Sequence, residues 1–408
     1  MPTPAFISAL KSDRCVHYIN NFLLHRAQSI DIKANVPSEI VEELGNSDHT
    51  GIVTAPAEIA LTVTVFDTGI ELSKNLTGKT TETNFTLSDF ANAQVDYIGM
   101  VRDYMGNFFR SIYIRNACIN AIHYSYDIAG NAVESYELLG DNLTVFDGYI
   151  LTKVYTVSAE DVDKGYFTLP VNGGETPIQT KQNSYFANSH LLRVTKKAGT
   201  LTTHLTEGAD YTYDPVTKRI TAGGLEAGQN YTIVFCSAQS DNTALQPVYN
   251  TLLPPAIRGE LTPVSIGIHS KTLIPRLQSA KITINLAQKR ISQLGSSQVF
   301  FVPGGAPNIT GNLSVLMSDL VLRKLITYGN AGSSETQFGI EQTAAYGAQN
   351  SLGLEVTIKS PSDNTILKRI TIPDITVTTG GIPVTVNGTL TESFAWTGKT
   401  GTLIIANG

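Results

Sequence analysis

The chain repeats itself, and that repeat limits its possible folds more than any other feature. Arg26, Gln28, Ser29, Ile32, Asn35, Leu44 and Gly45 recur as Arg276, Gln278, Ser279, Ile282, Asn285, Leu294 and Gly295, each 250 residues on. A second register, 258 apart, matches Ile112, Ile114, Gly130, Glu134, Ser135 and Gly140 to Ile370, Ile372, Gly388, Glu392, Ser393 and Gly398. Seven identities fall within positions 26–45, well above what chance supplies. The drift from 250 to 258 is loop-length change. Two fused copies of one fold point to an assembly built by repetition more than to a single active site.

At 408 residues the length fits two to three domains. Residues 1–13 form an N-terminal arm. The first copy spans 14–147, an insert without counterpart spans 148–241, a polar and then proline-bearing linker spans 242–254, and the second copy spans 255–408. In the first copy, Ile30, Ile32 and Ala34 alternate with polar residues, and Ile59–Phe66 alternates more clearly still, the period of half-buried strands. Ile70–Leu76 is expected as a short helix closed at Gly78. The second copy repeats the order with a strand at Leu313–Met317, Asp319 in the place of Asp67, and a helix from Leu320 to Tyr328. The insert is a series of short strands: 151–157, 166–169, 191–195, 211–213, 219–222 and 231–236. Strands at that spacing predict a small sandwich of immunoglobulin-like type.

Forty-two per cent apolar and 16% charged residues describe a globular chain, and a net charge of −6 argues against tight binding to a phosphate backbone. Cys15, Cys118 and Cys236 are scattered and odd in number, so neither a disulfide framework nor a metal-binding pair is expected. The N-terminus lacks the pattern of a signal peptide, and no apolar run approaches the length of a membrane helix. Two Gly-Lys-Thr triplets, 78–80 and 398–400, lack the glycine five positions earlier that a phosphate loop requires; Ser73 and Ser393 stand there. No histidine pair has the spacing of a zinc helix, and no Gly-x-Ser-x-Gly elbow is present. Glu39, Glu42, Glu43, Asp161 and Asp163 are expected on solvated faces. We therefore expect no catalytic residues, no cofactor, no metal site and no enzymatic activity.

The residues shared by the copies are the candidates for structure and assembly. Arg26 and Arg276 fit either contacts between subunits or ion pairs inside each copy. Gly45 and Gly295 fit a turn with positive φ. Glu134 and Ser135, with Glu392 and Ser393, fit either an assembly surface or a sheet-to-helix contact within the copy. Gln28, Ser29, Gly140, Gln278, Ser279 and Gly398 complete the set.

The order of elements in each copy resembles the tail tube proteins of tailed bacteriophages. Each has a Gln-Ser strand, a Leu-Gly stop, a Leu-Thr/Ser-Val strand, an Asp, a short helix, and hairpins ending in Glu-Ser-aromatic and Gly. The resemblance covers both copies but not the insert. It implies a mainly β chain: two tandem tail-tube-like β-sandwich or barrel domains, each with a short α-helix, and an inserted immunoglobulin-like sandwich as decoration. It implies a virion structural protein, assembled in the bacterial cytoplasm and located in the tail. Three chains would make a ring of six quasi-equivalent domains, and stacked rings would conduct DNA without binding it specifically. The implied partners are further copies of the chain, the tape measure, the tail terminator, distal tail or baseplate proteins and, in contractile tails, a sheath. No membrane is implied. The alternatives are another tail-tip, baseplate-hub or virion role, or a repeat-built β-rich adhesin or carbohydrate-binding module. In the tube reading, Leu61, Val63, Leu313 and Val315 face the core, and Thr62, Thr64 and Ser314 face the channel.

Overall fold

Strands dominate because β-branched and aromatic residues alternate with polar ones along most of the sequence. The computed structural model describes residues 15–35, 38–41, 51–54, 58–79, 81–102, 108–140, 142–171, 175, 177–179, 190–198, 201–237, 256–267, 272–292, 299–316, 352–381, 390–398 and 404–406. The first copy contains β1 (Cys15–Ile19), β2 (Phe22–Leu23), β3 (Ala27–Asn35), β4 (Ser38–Val41), β5 (Gly51–Thr54) and β6 (Glu58–Phe66). The helix α1 (Glu71–Thr77), β7 (Asn84–Thr86) and the helix α2 (Leu87–Ala91) follow. Next come β8 (Gln94–Arg102), β9 (Phe108–Asp127), β10 (Val133–Gly140) and β11 (Leu143–Asp147). The insert contributes β12 (Tyr149–Thr156), α3 (Ala159–Lys164), β13 (Tyr166–Thr168), β14 (Arg193–Ala198), β15 (Leu201–Leu205), β16 (Tyr211–Asp214), β17 (Arg219–Ala222) and β18 (Asn230–Ser237). The second copy has β19 (Val264–Gly267), β20 (Thr272–Leu273), β21 (Leu277–Asn285), β22 (Gln288–Ser292), β23 (Val299–Pro303) and β24 (Asn308–Leu316). It continues with β25 (Leu352–Lys359), β26 (Ile366–Gly381), β27 (Thr391–Gly398) and β28 (Ile404–Ala406).

The pairings of the first copy recur in the second, irregularities included. Ser29 lies opposite Thr64 and Ser279 opposite Ser314, and each ladder bulges one residue earlier, at Gln28 and Gln278. Tyr136 faces Ile122 and Phe394 faces Gly380, with a bulge at Asn120 in β9 and at Thr378 in β26. β11 pairs with β9 as β28 pairs with β26. The α1 helix matches the expected one and ends at Gly78 with φ 70, a left-handed cap that suits glycine. The expected helix at 320–328 and Asp319 lie outside the described residues, as do Gly45, Gly295, Gly388, the arm and the linker.

One apolar core runs through both copies, from Leu61, Val63 and Tyr136 to Ile282, Leu313 and Trp396. A second core joins the insert to the first copy. Val16, Ile98, Met100, Phe108 and Tyr113 pack with Tyr149, Phe167, Tyr231 and Phe235. The insert folds as a four-stranded sheet, β12-β18-β14-β15, and a three-stranded one, β13-β17-β16, which share that core. β8 therefore lies between two cores: Val95 and Tyr97 point into the first, Ile98 and Met100 into the second.

Candidate assembly interface

Eight strands form a continuous antiparallel surface through both copies, in the order β3-β6-β10-β9-β21-β24-β27-β26. The alternation of their sequences sorts this surface into two faces. Across one row run Ile30, Val63, Tyr136, Ile122, Ile284, Ile309, Gly398 and Ile375, whose face covers the core. Across an adjacent row run Ser29, Thr64, Ser135, His123, Thr283, Thr310, Thr397 and Thr376 on the opposite, polar face. Hydrogen bonds cross-link that polar row: Thr64 with Ser135 at 3.1 Å and His123 with Thr283 at 3.2 Å. Its charges are mixed, with Asp31 and Lys33 at 3.2 Å and Glu137 beside His123 at 3.2 Å. Leu61, Val63, Leu313 and Val315 are buried, while Thr62, Thr64 and Ser314 lie on the polar face.

The copies join at the centre of this surface, where β9 pairs with β21 from Asp127 opposite Ser279 to Ala121 opposite Asn285. Backbone bonds extend the ladder at both ends, Ile128 N–H to the Gln278 carbonyl at 2.9 Å and Leu286 N–H to the Asn120 carbonyl at 2.8 Å. Behind it lies a buried charge cluster. Lys368, in β26 of the second copy, donates to both oxygens of Asp67 at 3.1 Å and to Glu134 Oε2 at 2.7 Å, both in the first copy. Tyr126 donates to Asp67 at 2.9 Å and Tyr136 to Glu134 at 3.1 Å. The ammonium also sits 4.5 Å from the Tyr124 ring centroid. Burial pushes the Glu134 carboxyl up to about 7, against the pull of Lys368 and with the push of Asp67. Burial pulls Lys368 down, but Asp67 and Glu134 outweigh it and hold the lysine above its ordinary value. Such a cluster contributes little net stability over an apolar equivalent, yet it penalises any arrangement that separates its members.

A second buried pair fixes the insert. Asp96 of β8 accepts from Arg193 of β14, from Tyr113 Oη at 2.9 Å and from Asn116 N–H at 3.0 Å. Burial raises its pKa, but Arg193 and these donors outweigh burial and hold the carboxyl below the usual range.

The repeated residues are mostly backbone devices. Arg26 and Arg276 adopt φ 59 and φ 55, in the left-handed region, ahead of their bulges. Their carbonyls accept from Phe66 and Leu316 N–H at 3.1 and 3.2 Å, and from the Gln28 and Gln278 amides at 3.2 and 3.1 Å. Ser29 and Ser279 carry the polar face, as do Ser135 and Ser393. Gly140 and Gly398 make room for neighbours. A Cβ on Gly140 would stand 2.8 Å from Ile114 and 3.6 Å from Ile59, and one on Gly398 would stand 3.2 Å from both Ile372 and Ile309, the same neighbours one repeat on. Glu134 binds Lys368 of the other copy within the same chain. Sequence reasoning missed Lys368, Asp96 and Arg193. The signal for Lys368 was a basic residue at the matching position, Arg110, 258 residues earlier.

No protein-family model matches the chain, and no curated protein matches it. Among solved structures the chain is similar to a component of the native gene transfer agent virion. That match has 13% identity over 36% of this chain and 95% of that one, with a TM-score of 0.26. It is also similar to the SPP1 tail tube, with 10% identity over 37% and 80% and a TM-score of 0.26. A third likeness is to the anti-feeding prophage baseplate, with 13% identity over 36% and 97% and a TM-score of 0.24.

Proposed function

We propose that this chain is a non-enzymatic structural protein of a tailed-phage-type virion, and that its copies close into rings that stack as a tail tube conducting DNA. The eight-stranded surface carries this reading. It is apolar on the core face and polar on the other, and among the described residues it ends in two edges, β3 and residues 376–381 of β26, that pair on one side only. An open edge pairs or aggregates unless something covers it, and ring closure removes both edges together. Three chains would supply six copies, the polar face would line the channel, and the Thr- and Ser-rich row offers phosphate no line of fixed cations. The insert, across two cores from the polar face, would decorate the outside. Tape measure, terminator and distal tail proteins would then meet the ends of the stack.

Electron microscopy of the purified chain tests the reading. Hollow rings stacked into tubes are expected. Rings that never stack would move the chain to the tail tip or baseplate, and natively folded monomers at high concentration would overturn the assembly reading.

A further inference from the structure

We infer that the contact between neighbouring chains repeats the junction inside one chain, so that Arg110 of one copy of this protein enters the next copy beside Glu392. This deepens the ring reading and rests on it. Inside the chain, copy one offers β9 and the Asp67–Glu134 acids, and copy two offers β21 and Lys368. Moved one repeat along, copy two offers β26 and Glu392, and copy one of the neighbour offers β3 and Arg110. The registers make these residues true counterparts. Arg110 lies opposite Val101 in β8 as Lys368 lies opposite Ile358 in β25, and Glu134 lies opposite Val65 as Glu392 lies opposite Val315.

Exposure follows the same logic. Lys368 is fully buried at the occupied junction, whereas the Arg110 side chain is 51% exposed and pairs at 3.2 Å with Asp147, itself 87% exposed. An ion pair that exposed holds its partners weakly, so Arg110 can exchange it for a buried carboxylate. Glu392 is only 3% exposed, sited as Glu134 is. On β21 the residues Ala280, Ile282 and Ile284 are buried, while Ile30 and Ile32 of β3 are half-buried and Ala34 is exposed. The in-chain ladder also sets the register between chains. Thr283 opposite His123, Ile284 opposite Ile122 and Asn285 opposite Ala121 become Lys33 opposite Gly381, Ala34 opposite Gly380 and Asn35 opposite Thr379 of the neighbour. The occupant of both edges is therefore another copy of this chain, joined head to tail.

The experiment uses the full-length chain, with circular dichroism and the melting midpoint showing that each variant folds. Arg110→Glu is expected to lower the assembled fraction by about tenfold or more, a change of about 1.4 kcal/mol. Arg110→Lys should keep assembly, because lysine does the same work at position 368. In parallel, Asn35→Cys with Thr379→Cys in a Cys15→Ser background, treated with a short bis-maleimide, should give chain-to-chain cross-links that close into a covalent ring. Rings that form with neither the cross-link nor sensitivity to Arg110→Glu would overturn this inference and leave the ring reading intact. Natively folded wild-type chain that forms no rings would overturn the ring reading itself.

Discussion

Lys368 and its two carboxylates are all out of water, and each depends on the others for charge balance. Lys368→Met leaves Asp67 and Glu134 buried and uncompensated, and should cost about 3–5 kcal/mol in urea unfolding. The triple change Asp67→Asn, Glu134→Gln and Lys368→Met should recover most of that loss. A triple variant no more stable than the single one would show that volume, not charge, is what Lys368 supplies. The same cluster sets a pH dependence. Burial raises Glu134 from 4.5 to about 7, so the folded chain retains a proton that the unfolded chain releases. Stability from this group is therefore greatest near or below 4.5 and declines as pH rises toward about 7. Lys368, shifted upward, keeps its contribution until pH passes its ordinary value of 10.5. Unfolding free energies measured across that lower window should fall with pH, and Glu134→Gln should flatten the slope. The cluster was half legible in the sequence. Identity between the copies singles out Glu134, but the counterpart of Lys368 in the first copy is Arg110, and a search for identical residues passes over a pair that shares only charge.

Strand alternation is where sequence and structure agree most closely. In β6, Leu61 and Val63 are 1% and 0% exposed, and Thr62 and Thr64, alternating with them, point to the polar face. β24 repeats this with Leu313, Ser314 and Val315. Leu61→Asp or Leu313→Asp should cost several kcal/mol and abolish folding or assembly, because a buried carboxylate without a partner is expensive. Thr62→Asp should leave stability within about 1 kcal/mol of the parent. Thermal melts and sedimentation of the three variants check this, and a Thr62→Asp chain more damaged than Leu61→Asp would reverse the two faces. Other strands were not legible, for physical reasons. β8 is buried on both faces, from Val95 through Met100, so its pattern never alternates. β9 changes partners midway, leaving β8 and β11 for β10 and β21, and the change passes through Asn116 at φ 52 and the bulge at Asn120. Each irregularity shifts the period-two pattern by a residue, so a strand of 20 residues reads as fragments. The Arg26 and Arg276 turns show the converse: the repeat marked them, but a left-handed arginine gives no sequence sign of its conformation.

At the scale of the molecule, the insert is tied in more firmly than its sequence suggests. The two ends of its described part lie side by side, since Tyr149 pairs with Ser237, which suits replacement by a short bridge. An insert joined only at its ends could be removed without further change. Here removal also uncovers Val16, Ile98, Met100, Phe108 and Tyr113, and takes Arg193 from the buried Asp96. Exposed apolar surface of that kind promotes association between chains. Replacing residues 148–241 with a Gly/Ser bridge should therefore give a chain that aggregates through the uncovered β8 face. Adding Ile98→Thr, Met100→Gln and Asp96→Asn should restore solubility and ring formation, because the polar face of the eight-stranded surface lies on the other side of the first core. Light scattering and electron microscopy distinguish the outcomes. A bare deletion as soluble as the parent would mean that the shared core is dispensable. A substituted deletion that folds but forms no rings, beside a parent chain that does, would place the insert among the contacts between chains.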